Sequence, residues 1–66
     1  MKIVVNAKEF EFDKNITIEE LLDYLKVKDK VMAVAINMEI VKKDKWSTTS
    51  LKEGDRVELL HFVGGG

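Results

Sequence analysis

Residues 9–25 read EFEFDKNITIEELLDYL, and the change of period inside this stretch decides the fold. From Glu9 to Asp13 apolar and acidic residues alternate, which places Phe10 and Phe12 on one face of a strand and the acids on the other. From Thr17 onward the apolar residues recur at helical spacing, with Ile18, Leu21, Leu22 and Leu25 along one stripe. The boundary is marked by Thr17-Ile18-Glu19-Glu20, a capping box: the Thr17 hydroxyl accepts from the Glu20 amide, and the Glu20 carboxylate accepts from the Thr17 amide. Ile16 and Leu21 flank the cap as a hydrophobic staple. Lys26 and Lys28 follow, near the negative end of the helix dipole.

Upstream, Lys2 to Val5 is a β-branched strand with Ile3 and Val5 on one face, and Asn6-Ala7-Lys8 turns it into the alternating segment. This predicts a β-hairpin, without the strong Asn-Gly turn signal. Downstream, residues 31–36 form a third strand, Asn37-Met38 a turn and residues 39–41 a short strand. Residues 42–50 are polar and irregular apart from Trp46, expected as a plug over the sheet end. Glu53-Gly54-Asp55 is a turn, and residues 56–62 are the last strand. A hairpin, one helix and returning strands predict an α+β fold in which a mixed sheet packs on one main helix, the β-grasp or ubiquitin-like architecture. Its inner face would carry Ile3, Val5, Phe10, Phe12, Val34, Ile36, Val57 and Leu59. The expected division is a β-grasp domain over residues 1–61 and a flexible glycine-rich tail over residues 62–66; periodicity leaves the strand order open.

Composition narrows the function. With 66 residues the chain is one domain near the lower size limit for a self-sufficient core. It has no cysteine and one histidine, which excludes disulfides and Cys/His zinc sites and gives no reason to expect an oxidising compartment. The formal charge of −1 exerts no global pull on nucleic acid or anionic membrane. The lysines at 26, 28, 30, 42, 43 and 45 are interrupted by Asp29 and Asp44 and lack an aromatic stacking platform, so nucleic-acid binding is not expected. No apolar run approaches membrane-spanning length, and the N-terminus turns polar too early for a signal peptide. The expectation is a cytoplasmic protein, monomeric when free, without metal or cofactor.

The chemistry concentrates on Gly64-Gly65-Gly66, where the given sequence stops after a strand. Glycine lacks a Cβ, so such a tether passes a narrow channel and carries a terminal carboxylate into another protein's active site. An ionised carboxylate, with an α-carboxyl pKa of about 3.5, is a poor electrophile and needs activation. The chain has no phosphate loop, Gly-x-Gly-x-x-Gly element or nucleophile–base pair, so activation falls to a partner and this chain is substrate, not enzyme. Leu60 and Phe62 share the outward face of the last strand with Glu58, and Val4 adds to it. This is either a partner-docking patch or surface that the irregular segment buries. Leu60, Phe62 and Val63 are the candidate partner-binding residues. His61 stands without a carboxylate or thiol neighbour in sequence and is read as structural or interfacial.

The ending His61 to Gly66, preceded by Gly54-Asp55-Arg56-Val57-Glu58, resembles the sulfur carriers of thiazole (thiamin) biosynthesis, the ThiS family within the ThiS/MoaD ubiquitin-like superfamily. Ala35-Ile36-Asn37 and Glu39-Ile40-Val41 carry the resemblance into the middle of the chain. The resemblance implies that an E1-like enzyme (ThiF) adenylates Gly66 with ATP. Sulfur from a cysteine desulfurase or other donor then displaces AMP to leave a thiocarboxylate, and thiazole synthase (ThiG) takes that sulfur. Gly66 is then the modified residue, with Gly64 and Gly65 as its tail. Two relatives of this chemistry compete with it: the small subunit of molybdopterin synthase, and a ubiquitin-like modifier joined to lysines. A pure interaction module with an incidental tail is the non-chemical alternative.

Overall fold

The N-terminal hairpin closes on two left-handed residues, Asn6 (φ 48°) and Ala7 (φ 71°). Val5 and Lys8 are paired in register, so the loop holds two residues, and a type I′ turn requires positive φ at both. In the computed structural model, which describes residues 1–61, β1 is Lys2–Val5 and β2 is Lys8–Glu11. The second strand was expected over residues 9–13; the tight turn starts it one residue earlier. Regular strand ends at Glu11, yet Phe12 remains tied to the chain start. Its amide donates to the Met1 carbonyl at 2.8 Å, and the Met1 ammonium donates to the Phe12 carbonyl at 2.7 Å.

The capping box forms as expected at the start of α1 (Ile18–Leu25), with Glu20 N–H to Thr17 Oγ1 at 3.1 Å and Thr17 N–H to Glu20 Oε1 at 2.9 Å. The remaining free amides of the first turn are met from the distant 46–49 segment. Ile18 donates to the Thr49 carbonyl at 3.0 Å and Glu19 to the Trp46 carbonyl at 3.1 Å. The helix N-terminus is therefore fully satisfied within the chain. At the other end Lys26 is left-handed (φ 61°), and its amide donates to Asp23 at 3.1 Å while that of Val27 donates to Leu22 at 3.1 Å. This is the Schellman pattern, built on lysine where glycine is usual. A short 3-10 turn, Lys28–Lys30, which periodicity did not foreshadow, leads into β3 (Val31–Ile36).

The second hairpin repeats the first: Asn37 (φ 50°) and Met38 (φ 72°) join β3 to β4 (Glu39–Val41). Gly54, with φ 84°, occupies the turn before β5 (Arg56–His61) and donates to the Lys2 carbonyl at 2.7 Å. The five strands are ordered β2-β1-β5-β3-β4, with β5 central, parallel to β1 and antiparallel to β3. This is the expected mixed sheet on one helix.

One face of the sheet and the apolar stripe of α1 enclose the core. Ile3, Val5, Val34, Val57 and Leu59 are buried from the sheet, and Ile18, Leu21 and Leu22 from the helix. Phe10, Phe12, Ile36 and Leu25 pack against this cluster but stay half-buried, being near the sheet edges or the helix end. Val31 and Val34 are both buried although their spacing is odd, because the β3–β5 register shifts between Val31 and Ala33. Trp46 is 2% exposed and its indole N–H donates to the Val41 carbonyl at 3.0 Å, so it belongs to the core and not to an interface. Leu51, also buried, closes the same end, with its amide donating to the Ile16 carbonyl at 2.8 Å. Among the described residues, no helix is long and apolar enough to cross a membrane.

Candidate functional site

Central strand β5 carries the end of the described chain, and alternation along it sends successive side chains to opposite sides of the sheet. Val57 and Leu59 point into the core, while Arg56, Glu58 and Leu60 lie exposed on the face opposite the helix. Leu60 is 52% exposed. Its register partner on β3 is Ala33, and Glu58 is opposite Ala35, so the neighbours of Leu60 on that side are small. Ala35 is in turn paired with Ile40 of β4, which is itself largely exposed. Val4 of β1, aligned with Arg56, is half-buried on the same face. The outcome is an apolar strip across β5, β3 and β4 with Leu60 standing above two alanines. The 42–50 segment does not bury it, because its one large apolar residue, Trp46, faces the core.

This strand is held on both sides by the asparagines that open the two hairpin turns. Asn6 Oδ1 accepts from the Leu59 amide at 2.9 Å, and the Asn6 amide donates to the Val57 carbonyl at 2.9 Å. Asn37 Oδ1 accepts from the Arg56 amide at 3.0 Å, and its amide donates to the Arg56 carbonyl at 2.8 Å. Asn37 Nδ2 donates to Asp55 Oδ1 at 3.1 Å. Each asparagine thus serves twice, tolerating positive φ in the turn and bonding β5 through its side chain. Sequence reasoning missed this role; an asparagine at the first position of each two-residue turn was the available signal.

His61 is the last described residue of β5, exposed, and in register with Val31. It lies on the same side of the sheet as Leu59, facing the helix end, and not with Leu60. The predicted site residues Phe62, Val63, Gly64, Gly65 and Gly66, with the proposed tail boundary at 62, lie outside the described residues. Of the predicted partner-binding set, Leu60 alone can be placed.

Electrostatics around the strand are modest. The one ion pair among the described residues, Lys28 Nζ to Glu19 at 2.6 Å, lies on the helix side and raises the Lys28 pKa above its usual value, chiefly through the hydrogen bond to Glu19. Among the described residues no cluster of three His, Asp or Glu side chains is arranged to hold a metal ion.

Comparison with known proteins agrees with this geometry. The model of the ThiS family matches residues 3–66. The sulfur carrier protein ThiS of Bacillus subtilis is 35% identical over 63 residues, covering 94% of this chain and 96% of that protein. A crystal structure of the thiamine biosynthesis protein ThiS from Geobacter metallireducens matches with a TM-score of 0.83 at 37% identity, covering all of both chains. A thiazole synthase of Paramagnetospirillum magneticum is 39% identical over all 66 residues, but the chain spans only 20% of that protein's length.

Proposed function

The chain belongs to the ThiS family, the sulfur carriers of thiamin biosynthesis, and we propose that it carries sulfur as a thiocarboxylate on Gly66. The observation that supports this reading is the likeness to a ThiS crystal structure, with a TM-score of 0.83 at 37% identity, covering all of both chains.

In the proposed cycle an E1-like enzyme brings the Gly66 carboxylate to the α-phosphorus of ATP. A carboxylate oxygen attacks, pyrophosphate leaves, and the acyl carbon becomes electrophilic. Sulfur then arrives either as hydrosulfide from another donor or as the persulfide of a cysteine desulfurase, whose S–S bond a thiol pair reduces by two electrons to bring the outer sulfur to the level of hydrosulfide. One C–S bond forms, one C–O bond breaks and AMP departs, leaving no electrons to account for. Sulfur is a softer nucleophile than the oxygen it replaces, and thiazole synthase uses it in ring formation. This partner is supported by the thiazole synthase whose sequence contains a stretch similar to the whole of this chain. The carrier itself contributes no acid, base or nucleophile; it supplies recognition through the body of the fold and delivery through its end. The strip around Leu60, with Phe62 and Val63 next in sequence, serves as the docking surface for these enzymes, and the cycle runs in the cytoplasm.

The test is transfer. Carrier charged with radiolabelled sulfur is mixed with thiazole synthase and the remaining thiazole precursors. Label passing into the thiazole product supports the proposal, as does its absence with carrier lacking Gly66. Label retained on the carrier by a demonstrably active synthase contradicts it.

A further inference from the structure

A second apolar surface lies on the opposite side of the sheet from Leu60, between the first hairpin and the end of α1. It is a hollow of about 280 Å3 whose floor is Val5 and Leu59 and whose walls are Phe10, Leu25 and Val27. The floor residues are buried, whereas all three wall residues are only half-buried. Among the described residues, carbon surface on three separate elements is thus left without a partner. The rim is held in shape by devices already described: the Asn6 bond to Leu59 on one side and the left-handed Lys26 helix end on the other.

We propose that this hollow receives an apolar side chain of the thiazole-forming enzyme, one neighboured by an acidic residue. The inference rests on the sulfur-carrier reading above. Three observations choose the occupant. His61 forms part of the rim, and Gly66 lies five residues further on, a reach of at most about 17 Å of extended chain. An enzyme that holds Gly66 at its reacting centre therefore has its body within that distance of the hollow. The hollow, about 280 Å3, has room for one large apolar side chain. The charge has one sign: among the described residues Lys8 is the only Lys, Arg, Asp or Glu on the lining, and its ammonium sits 5.7 Å from the Phe10 ring centroid. An acid beside the incoming apolar group would meet that ammonium, giving register as well as attraction.

The experiment titrates isotope-labelled, full-length carrier with purified thiazole synthase, reading amide and methyl resonances and the affinity. The expected result is perturbation at Lys8, Leu25, Val27 and His61 in addition to Leu60. Lys8→Glu and Val27→Glu should each weaken binding about tenfold, and the Lys8→Glu loss should shrink as salt is raised. Circular dichroism checks folding, and Val27→Ala replaces Val27→Glu if the charge unfolds the protein. Full affinity in the folded Lys8 and Val27 variants, with Leu60→Glu still impaired, overturns the hollow as a contact and leaves the carrier reading intact. No binding or sulfur transfer by the wild-type carrier overturns both.

Discussion

The side-chain oxygen of Asn6 accepts the Leu59 amide at 2.9 Å, joining the first turn to the last strand across 53 residues. The parallel β1–β5 ladder has only two register pairs, Val4 with Arg56 and Val5 with Val57. The asparagine therefore extends the grip on β5 beyond the end of β1. Asn6→Ala removes the acceptor from a partly buried amide and puts alanine at positive φ. It is expected to cost about 1–3 kcal/mol, a fall in Tm of several degrees for a domain this small. Thermal unfolding followed by circular dichroism checks it, and Asn6→Asp, which keeps the acceptor, should lose less.

Ala7, Lys26 and Met38 hold left-handed backbone without being glycine, Asn or Asp. Replacing each with glycine relieves a steric penalty on the order of 1 kcal/mol, reduced by the extra freedom gained in the unfolded chain. Met38→Gly is the cleanest case because Met38 is 88% exposed and contributes little packing. Each of the three variants should unfold at a higher denaturant concentration than wild type; unchanged or lower midpoints would contradict the turn and cap assignments.

Leu60→Glu separates stability from docking. The residue is half-exposed on the open face, so the change should alter stability by no more than about 0.5 kcal/mol. Affinity for the adenylating enzyme should fall about tenfold or more, equivalent to roughly 1.4 kcal/mol. Calorimetric titration of folded variant and wild type measures this directly.

Lys28 bonds Glu19 across the helix and the turn that follows it, and its pKa is raised. A raised folded-state pKa means that the ammonium form favours folding below the unfolded pKa. That contribution disappears as pH rises through the folded value, above the ordinary 10.5. The stability difference between wild type and Lys28→Gln should therefore be constant through neutral pH and vanish in strong alkali. Both residues are substantially exposed, so added salt should also reduce it.

The features legible in the sequence are those set by neighbours in the chain. The Thr17–Glu20 capping box, the Ile18–Leu22 stripe and the outward place of Leu60 each follow from a period or a spacing. Features made by distant segments were hidden. The 42–50 segment lacks periodicity, so although a lone tryptophan there points to a plug over the sheet end, nothing local announced that the Trp46 carbonyl, with that of Thr49, would complete the first turn of α1. The odd spacing of Val31 and Val34 reflects a bulge that only pairing with β5 creates. The alternation of β3 already turned Ala33 and Ala35 outward, but their place beside Leu60 depends on strand order. The hollow beneath His61 draws on both strands of the first hairpin, the helix end and β5, which no single window contains.

The central claim concerns one atom at the end of the chain, and intact-mass spectrometry reads it. Carrier incubated with the adenylating enzyme, ATP and a sulfur donor should gain the mass difference between one sulfur and one oxygen. The gain should be absent when ATP is omitted or Gly66 deleted. No gain from wild-type carrier in the presence of an enzyme shown to be active, or an equal gain without Gly66, would contradict the assignment of Gly66 as the sulfur-bearing residue.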